Sequence, residues 1–357
     1  MFGRAYLGRR VLLTGHTGFK GSWLALWLQT LGAEVTGVAL PPESRPNHWE
    51  LLGLDMPNLT LDIRDGGALL AAVRKAKPEI VFHLAAQPLV RKSYQDPLET
   101  WSTNVMGTAN VLEACRQVAG IKAAVVVTTD KCYENREQAR GYRETDHLGG
   151  HDPYSASKAC TELLAASYRQ AFFNLTDLPL LATARAGNVI GGGDWSTDRL
   201  IPDLVRAIGT GSALQVRSPN ATRPWQHVLD SLSGYLILGQ RLLIGDKSSA
   251  CAWNFGPGPE ANQPVENILN GLSGAWPELA WEHSAEQRPH EATLLYLDST
   301  KAKQELHWQT AWSLEETLVA TAQWYQAYAC GEPLQSQIQL DRYIRSAVAA
   351  GLPWTSP

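Results

Sequence analysis

The chain has 357 residues, 44% hydrophobic and 18% charged, with a formal net charge of −4 and a pI near 6.2. A chain this long buries a large core, in one large domain or two interlocked ones. The scattered arginines and slight negative charge give no footprint for nucleic acid or an anionic membrane, and no apolar run approaches the roughly 20 residues of a membrane span.

Taken in chain order, apolar runs at 10–15, 34–40, 59–63, 79–86, 123–129 and 180–186 read as strands. Between them, 19–32, 65–77, 97–118 and 153–172 carry the helical period. Near-continuous apolar strands alternating with helices predict a parallel sheet covered on both faces. The expected fold is therefore α/β: a Rossmann-type doubly wound parallel sheet with a smaller C-terminal mixed α/β substrate domain. Residues 1–187 read as the dinucleotide-binding domain. Residues 188–357, rich in Gly, Pro, Asn and Trp, read as the substrate domain. The stretches "QHVLD" and "AWNFG", within 225–255, are expected to return to the main sheet. The N-terminus runs directly into a strand, so no signal peptide is visible. Five widely spaced cysteines (Cys115, Cys132, Cys160, Cys251, Cys330) without a C-x-x-C pair read as reduced thiols of a cytoplasmic protein.

In sheets of this kind, ligands bind at the C-terminal ends of the strands, and the motifs fall there. "TGHTGFKG" sets Gly15, Gly18 and Gly21 at the first strand–helix turn. Glycines let the backbone turn tightly and approach a pyrophosphate, and the helix start offers free N–H groups. A carboxylate for the ribose is expected about 20 residues on, but Ala39, Leu40, Pro41 and Pro42 stand there, with Glu43 and Arg45 beyond. That leaves NADP open beside NAD. Asp62 and Ile63 close the third strand; Asp62 reads as an adenine contact or a helix N-cap.

"HDPYSASK" reads as a helix start, with Asp152 as N-cap and Pro153 as first helical residue. Tyr154 and Lys158 then share one helical face. A phenol of pKa ~10 is a poor base, and a nearby ammonium and helix N-terminus favour its ionised form. "VVVTTDKCYEN" ends a buried strand in a hydroxyl, a carboxylate and an amine side by side. His147 and His151 lack ligand geometry around them, and no metal is expected. Gly-x-Ser-x-Gly is absent.

Together "TGHTGFKG", "HLAAQ", "TTDKCYEN", "YSASK" and "NVIGGGDW" resemble the extended short-chain dehydrogenase/reductase family, in particular its nucleotide-sugar 4,6-dehydratases. The resemblance covers nearly the whole chain. It implies a lyase that oxidises the sugar at C4, eliminates water across C5 and C6, and returns the hydride to C6. It implies NAD as cofactor, held by Gly15, Thr17, Gly18, Phe19, Lys20 and Gly21, by Asp62 and Ile63, by Leu84, Ala85 and Ala86, and by Tyr154 and Lys158. CDP-glucose is the expected substrate, and the product serves surface-polysaccharide synthesis. Under this resemblance Tyr154, with Lys158, removes the C4 hydroxyl proton and Thr129 binds that oxygen. Asp130 protonates the leaving C6 hydroxyl. Lys131 takes the C5 proton or stabilises an enolate; the related dTDP-glucose dehydratases place Glu there. Expected substrate contacts are Gln87, Ser93, Asn104, Asn188, Arg199, Arg223, Arg288 and His290. Apolar stripes on 97–119 and 154–173 suit a homodimer or higher homo-oligomer. Epimerisation and a non-catalytic dinucleotide-binding role are the alternatives.

Overall fold

The computed structural model describes residues 1–138, 140–173, 175, 177–284 and 295–356. Six strands, β1 (Arg10–Thr14), β2 (Glu34–Ala39), β3 (Asn58–Thr60), β4 (Ile80–His83), β5 (Ala123–Val127) and β6 (Leu180–Arg185), join Ala252–Asn254 in one sheet. From the Ala252–Asn254 edge the order is β6, β5, β4, β1, β2, β3, and every pair is parallel. The order reverses between β1 and β4, which opens a crevice at their C-terminal ends. This is the doubly wound fold expected from the alternating pattern.

The central strands β4 and β5 are buried along their whole length because each face is covered. Leu12, Val81, Ala124, Val126 and Leu181 pack beneath α2 (Gly66–Ala76), α3 (Thr108–Gln117) and α4 (Pro153–Ala171). Their neighbours Val11, Leu13, Ile80, Phe82 and Val125 face the opposite core with α1 (Phe19–Thr30) and α5 (Val228–Leu243). The alternation is the period-2 rule applied to a sheet with two buried sides.

Helix α1 is buried from Gly21 to Leu28, so it needs cover on the side away from the sheet. The helices Leu314–Ala329 and Ser336–Ala349 supply it. Trp27 packs edge-on against Tyr343 and Trp354, each at 5.6 Å, and Trp354 stacks on Phe2 at 5.0 Å. His48 bridges this junction, with Nδ1 and Nε2 each 2.7 Å from the hydroxyls of Ser22 and Ser336. Burial pushes its pKa down to about 3, so the ring is neutral and donates through one nitrogen only.

In the later chain, Ala252–Asn254 pairs with β6 as expected. Gln226–His227 does not return to the main sheet. It pairs with Val189–Ile190, because the next residues, Val228 onward, form the apolar helix α5 that packs on the sheet face.

Asp230 of α5 is fully buried and accepts hydrogen bonds from the Tyr343 hydroxyl (2.8 Å) and the Ala311 amide (2.7 Å). Burial raises its pKa to about 7. An acid with a raised folded-state pKa binds more protons folded than unfolded between about 4 and 7, so its contribution falls as pH rises through that window. Asp230→Asn should therefore flatten the loss of stability between pH 5 and 8. Thermal melts at both pH values should show the variant gaining on the parent by a few degrees at pH 8, on the order of 1–2 kcal/mol.

Candidate active site

The glycine loop lies flat against the ends of β1 and β4. Gly15 has φ +76°, and a Cβ there would stand 2.6 Å from the Ala85 amide nitrogen. A Cβ on Gly21 would stand 2.0 Å from the Gly15 carbonyl oxygen. The Thr14 hydroxyl accepts from the Leu84 and Ala85 amides, both at 3.2 Å, stitching the two strand ends together. Gly18 starts α1 with no side-chain cap, which leaves its first N–H groups for an anion. The loop thus fits a dinucleotide pyrophosphate. The Thr17 hydroxyl donates to the Leu40 carbonyl at 2.9 Å, tying the loop to the end of β2. Glu43, in the region where a ribose carboxylate was expected, pairs with Lys92 at 3.3 Å on the surface. The N-cap of α2 is Asp65, not Asp62. Asp62 pairs with Arg64 at 2.5 Å, and this holds its carboxyl below the usual range.

At the other side of the crevice, β5 ends in Thr128, Thr129 and Asp130. Asp130 is buried and accepts from the Thr129 hydroxyl at 2.9 Å, whereas Lys131 is exposed. Asp152 caps α4 through the Ser155 amide at 2.9 Å, and Pro153 opens the helix, as predicted. The Tyr154 phenol hydrogen-bonds Thr129, so tyrosine, threonine and aspartate form one cluster. Burial pushes the Tyr154 pKa up to about 12, opposed by the Thr129 hydrogen bond and by the Arg199 charge. Lys158 donates to the Val127 carbonyl at 3.4 Å, and burial lowers its pKa to about 8.

Two cations complete the cluster. Burial, with Arg199 and Lys158 nearby, lowers the pKa of Lys20 to about 7. Its ammonium donates to the Tyr235 hydroxyl at 3.3 Å. Arg199 pairs with Asp194 at 2.9 Å and carries its charge beside Tyr154, the part of the pocket where proton transfer is expected.

Glu162 was missed by sequence reasoning, although it continues the Tyr154–Lys158 stripe by one more turn. It accepts from the Thr128 hydroxyl (2.5 Å), the Thr183 hydroxyl (2.7 Å) and Arg185 (2.8 Å), a pair whose side chains are 3% and 2% exposed.

The expected sugar contacts divide. Gln87, Ser93 and Asn104 are buried and engaged with protein. Gln87 donates to Thr100 (2.8 Å), Asn104 donates to Ser157 of α4 (2.9 Å), and Ser93 donates to the Val90 carbonyl (2.6 Å). Asn104 lies in a π-helical turn, Ser102–Gly107. Asn188 follows β6 with φ +25°, and Arg223 donates to the Thr222 carbonyl at 2.8 Å. Arg288 and His290 lie outside the described residues.

Two outcomes test the geometry. Glu162→Gln should leave Arg185 without its counter-charge and destabilise the protein by about 3–5 kcal/mol, seen in denaturant unfolding. Gly21→Ala should weaken NAD binding at least tenfold in a titration, because its Cβ meets the Gly15 carbonyl.

The model of the NAD dependent epimerase/dehydratase family matches residues 11–250. The CDP-glucose 4,6-dehydratase of Salmonella typhimurium is 48% identical over 334 residues, 92% of this chain and 93% of that protein. Among solved structures, the epimerase Mth375 of Methanothermobacter thermautotrophicus matches with a TM-score of 0.80 at 25% identity, covering 92% and 96% of the two chains. A double mutant of DesIV, the dTDP-glucose 4,6-dehydratase of Streptomyces venezuelae, matches with a TM-score of 0.76 at 24% identity over 90% and 98%. The second of these shares the fold. Matched across two thirds of its length by the family model, and nearly half identical to a curated relative, the chain belongs to the NAD dependent epimerase/dehydratase family.

Proposed function

We propose that the protein is a nucleotide-sugar 4,6-dehydratase acting on CDP-glucose. The observation that carries this reading is the buried Asp130 placed on the Thr129–Tyr154 pair, with Lys131 next along the turn. An epimerase needs proton transfer at one carbon, whereas elimination needs a further acid and base. The 48% relative supports CDP-glucose over other nucleotide sugars.

NAD, when bound, supplies the oxidation at C4 and the reduction at C6. Tyr154 takes the C4 hydroxyl proton, with Thr129 holding the same oxygen and Arg199 favouring the phenolate. Asp130 donates a proton to the departing C6 hydroxyl. Lys131 takes the C5 proton; it is exposed in the free protein, next along the turn from Asp130. Asn188 and Arg223, with Arg288 and His290, remain the proposed contacts to the sugar nucleotide, while Gln87, Ser93 and Asn104 shape the wall behind it.

Residues 1–187 with Ala252–Asn254 are assigned to the cofactor and most of the later chain to the sugar nucleotide. Leu98, Met106 and Leu163 are 78%, 58% and 58% exposed on the helical face expected to form a homodimer. The described cysteines are free, in keeping with a cytoplasmic location. Among the described residues no helix is long and apolar enough to cross a membrane.

The deciding experiment incubates the protein with NAD and CDP-, dTDP-, GDP- or UDP-glucose in deuterated water. Loss of one water and gain of one deuterium should occur with the CDP sugar; a product of unchanged formula would mean epimerisation, and another nucleotide sugar dehydrating instead would move the substrate. Lys131→Met should still form the C4 ketone but incorporate deuterium at C5 about 10²-fold more slowly. Unchanged incorporation would remove Lys131 as the base.

A further inference from the structure

The chain leaving β6 passes directly behind Asp130. A Cβ built on Gly187 would stand 2.0 Å from Asp130 Oδ2 and 2.4 Å from its Cγ. Nothing else at this position calls for glycine, since Gly187 is not among the residues with positive φ.

The wall that Gly187 belongs to is held on both sides. Upstream, Arg185 is locked by Glu162 at 2.8 Å, and its carbonyl accepts from the Phe255 amide at 2.8 Å. At Gly187 itself, the carbonyl accepts from the buried Gln226 side chain at 3.4 Å, and the same Gln226 nitrogen donates to the Phe255 carbonyl at 2.8 Å. Downstream, Asn188 sits at φ +25° and its carbonyl accepts from the Gln226 amide at 3.4 Å. Among the described residues, the Asp130 side chain has one hydrogen bond to another side chain, the Thr129 hydroxyl at 2.9 Å. A methyl at 187 therefore displaces the carboxylate, by about 1.4 Å to reach ordinary contact, before it displaces the backbone.

We infer that Gly187 is a positioning residue for Asp130, and that its missing side chain couples water elimination to C4 oxidation. This rests on the reading of Asp130 as the acid for the C6 hydroxyl. No titratable group changes in Gly187→Ala, so any effect on elimination is one of placement. A shift of this size costs on the order of 10² in the step it serves. C4 oxidation, which uses Tyr154 and Thr129, should proceed.

The test compares the parent, Gly187→Ala, Asp130→Ala and the double variant on CDP-glucose with NAD. It follows C4 ketone formation, water loss by mass spectrometry, and melting temperature. Gly187→Ala should still form the ketone and lose water about 10²-fold more slowly. In the Asp130→Ala background, adding Gly187→Ala should change neither rate, because the atoms its Cβ would strike are gone and no other stands nearer than 3.0 Å. If Gly187→Ala is unstable, the double variant should recover the melting temperature; failure to recover would overturn the inference without reference to activity. Wild-type water loss by Gly187→Ala, with Asp130→Ala impaired, would overturn it and leave Asp130 in place. Equal loss of ketone formation and water loss in Gly187→Ala would also overturn it. Wild-type water loss by Asp130→Ala would remove Asp130 as the acid and the inference with it.

Discussion

The site depends on one buried ion pair, Glu162 with Arg185. Such pairs add little net stability, because desolvating two charges offsets their attraction, but losing one partner is costly. What the pair supplies is geometry. Glu162 lies on α4 in the same stripe as Tyr154 and Lys158, and its oxygens also take the hydroxyls of Thr128 on β5's end and Thr183 on β6. The helix is thereby fixed in rotation against both strands, and the phenol is fixed against Thr129. The network continues outward. Arg185 donates to the Tyr133 hydroxyl at 2.5 Å, which donates to Asn254 at 2.8 Å on the edge strand. Three parallel strands and one helix therefore share a single set of charge-assisted hydrogen bonds.

Around that frame the pocket concentrates positive charge. Lys20 lies near Asp130, Lys158 and Arg199, and Arg199 lies beside Tyr154, while Asp194 is committed to Arg199. Burial makes the two lysines less basic and the phenol less acidic, because in each case it disfavours the ion. An anion entering this pocket, whether a diphosphate or an enolate, would be met by cations already in place, with little reorganisation needed. Negative charge developing during the reaction is stabilised in the same way.

Much of this was legible from residue order. The strands announced themselves because both faces are buried, which removes polar residues from 80–82 and 123–127. The glycine loop and Tyr154–Lys158 were legible because each lay in the context its chemistry needs. Other features depend on contacts between distant segments. Glu162 and Arg185 lie 23 residues apart and face each other only once α4 has packed on β6. The resemblance puts Asn104 at the sugar, and in the fold a π-helical turn joins its side chain to Ser157 and the Gln87 backbone, contacts that residue order does not show. Gln226–His227 has an apolar continuation that suggested a strand, and the same residues suit the buried helix that follows. Gly187 carried no signal at all: its meaning lies in the carboxylate behind it.

The aromatic cover of α1 has a consequence for what counts as a unit of this protein. The segment matched by the family model ends at residue 250, yet the side chains that shield the outer face of α1 come from both beyond and before it. Trp312, Trp324, Tyr343 and Trp354 share one continuous core with Phe2, Trp23 and Trp27. A fragment cut at that boundary would turn Trp27, a fully buried tryptophan of the dinucleotide helix, toward water. The stretch matched by the family model and the folding unit are different lengths of chain. Inheritance can be recognised in the first, but autonomy belongs to the second.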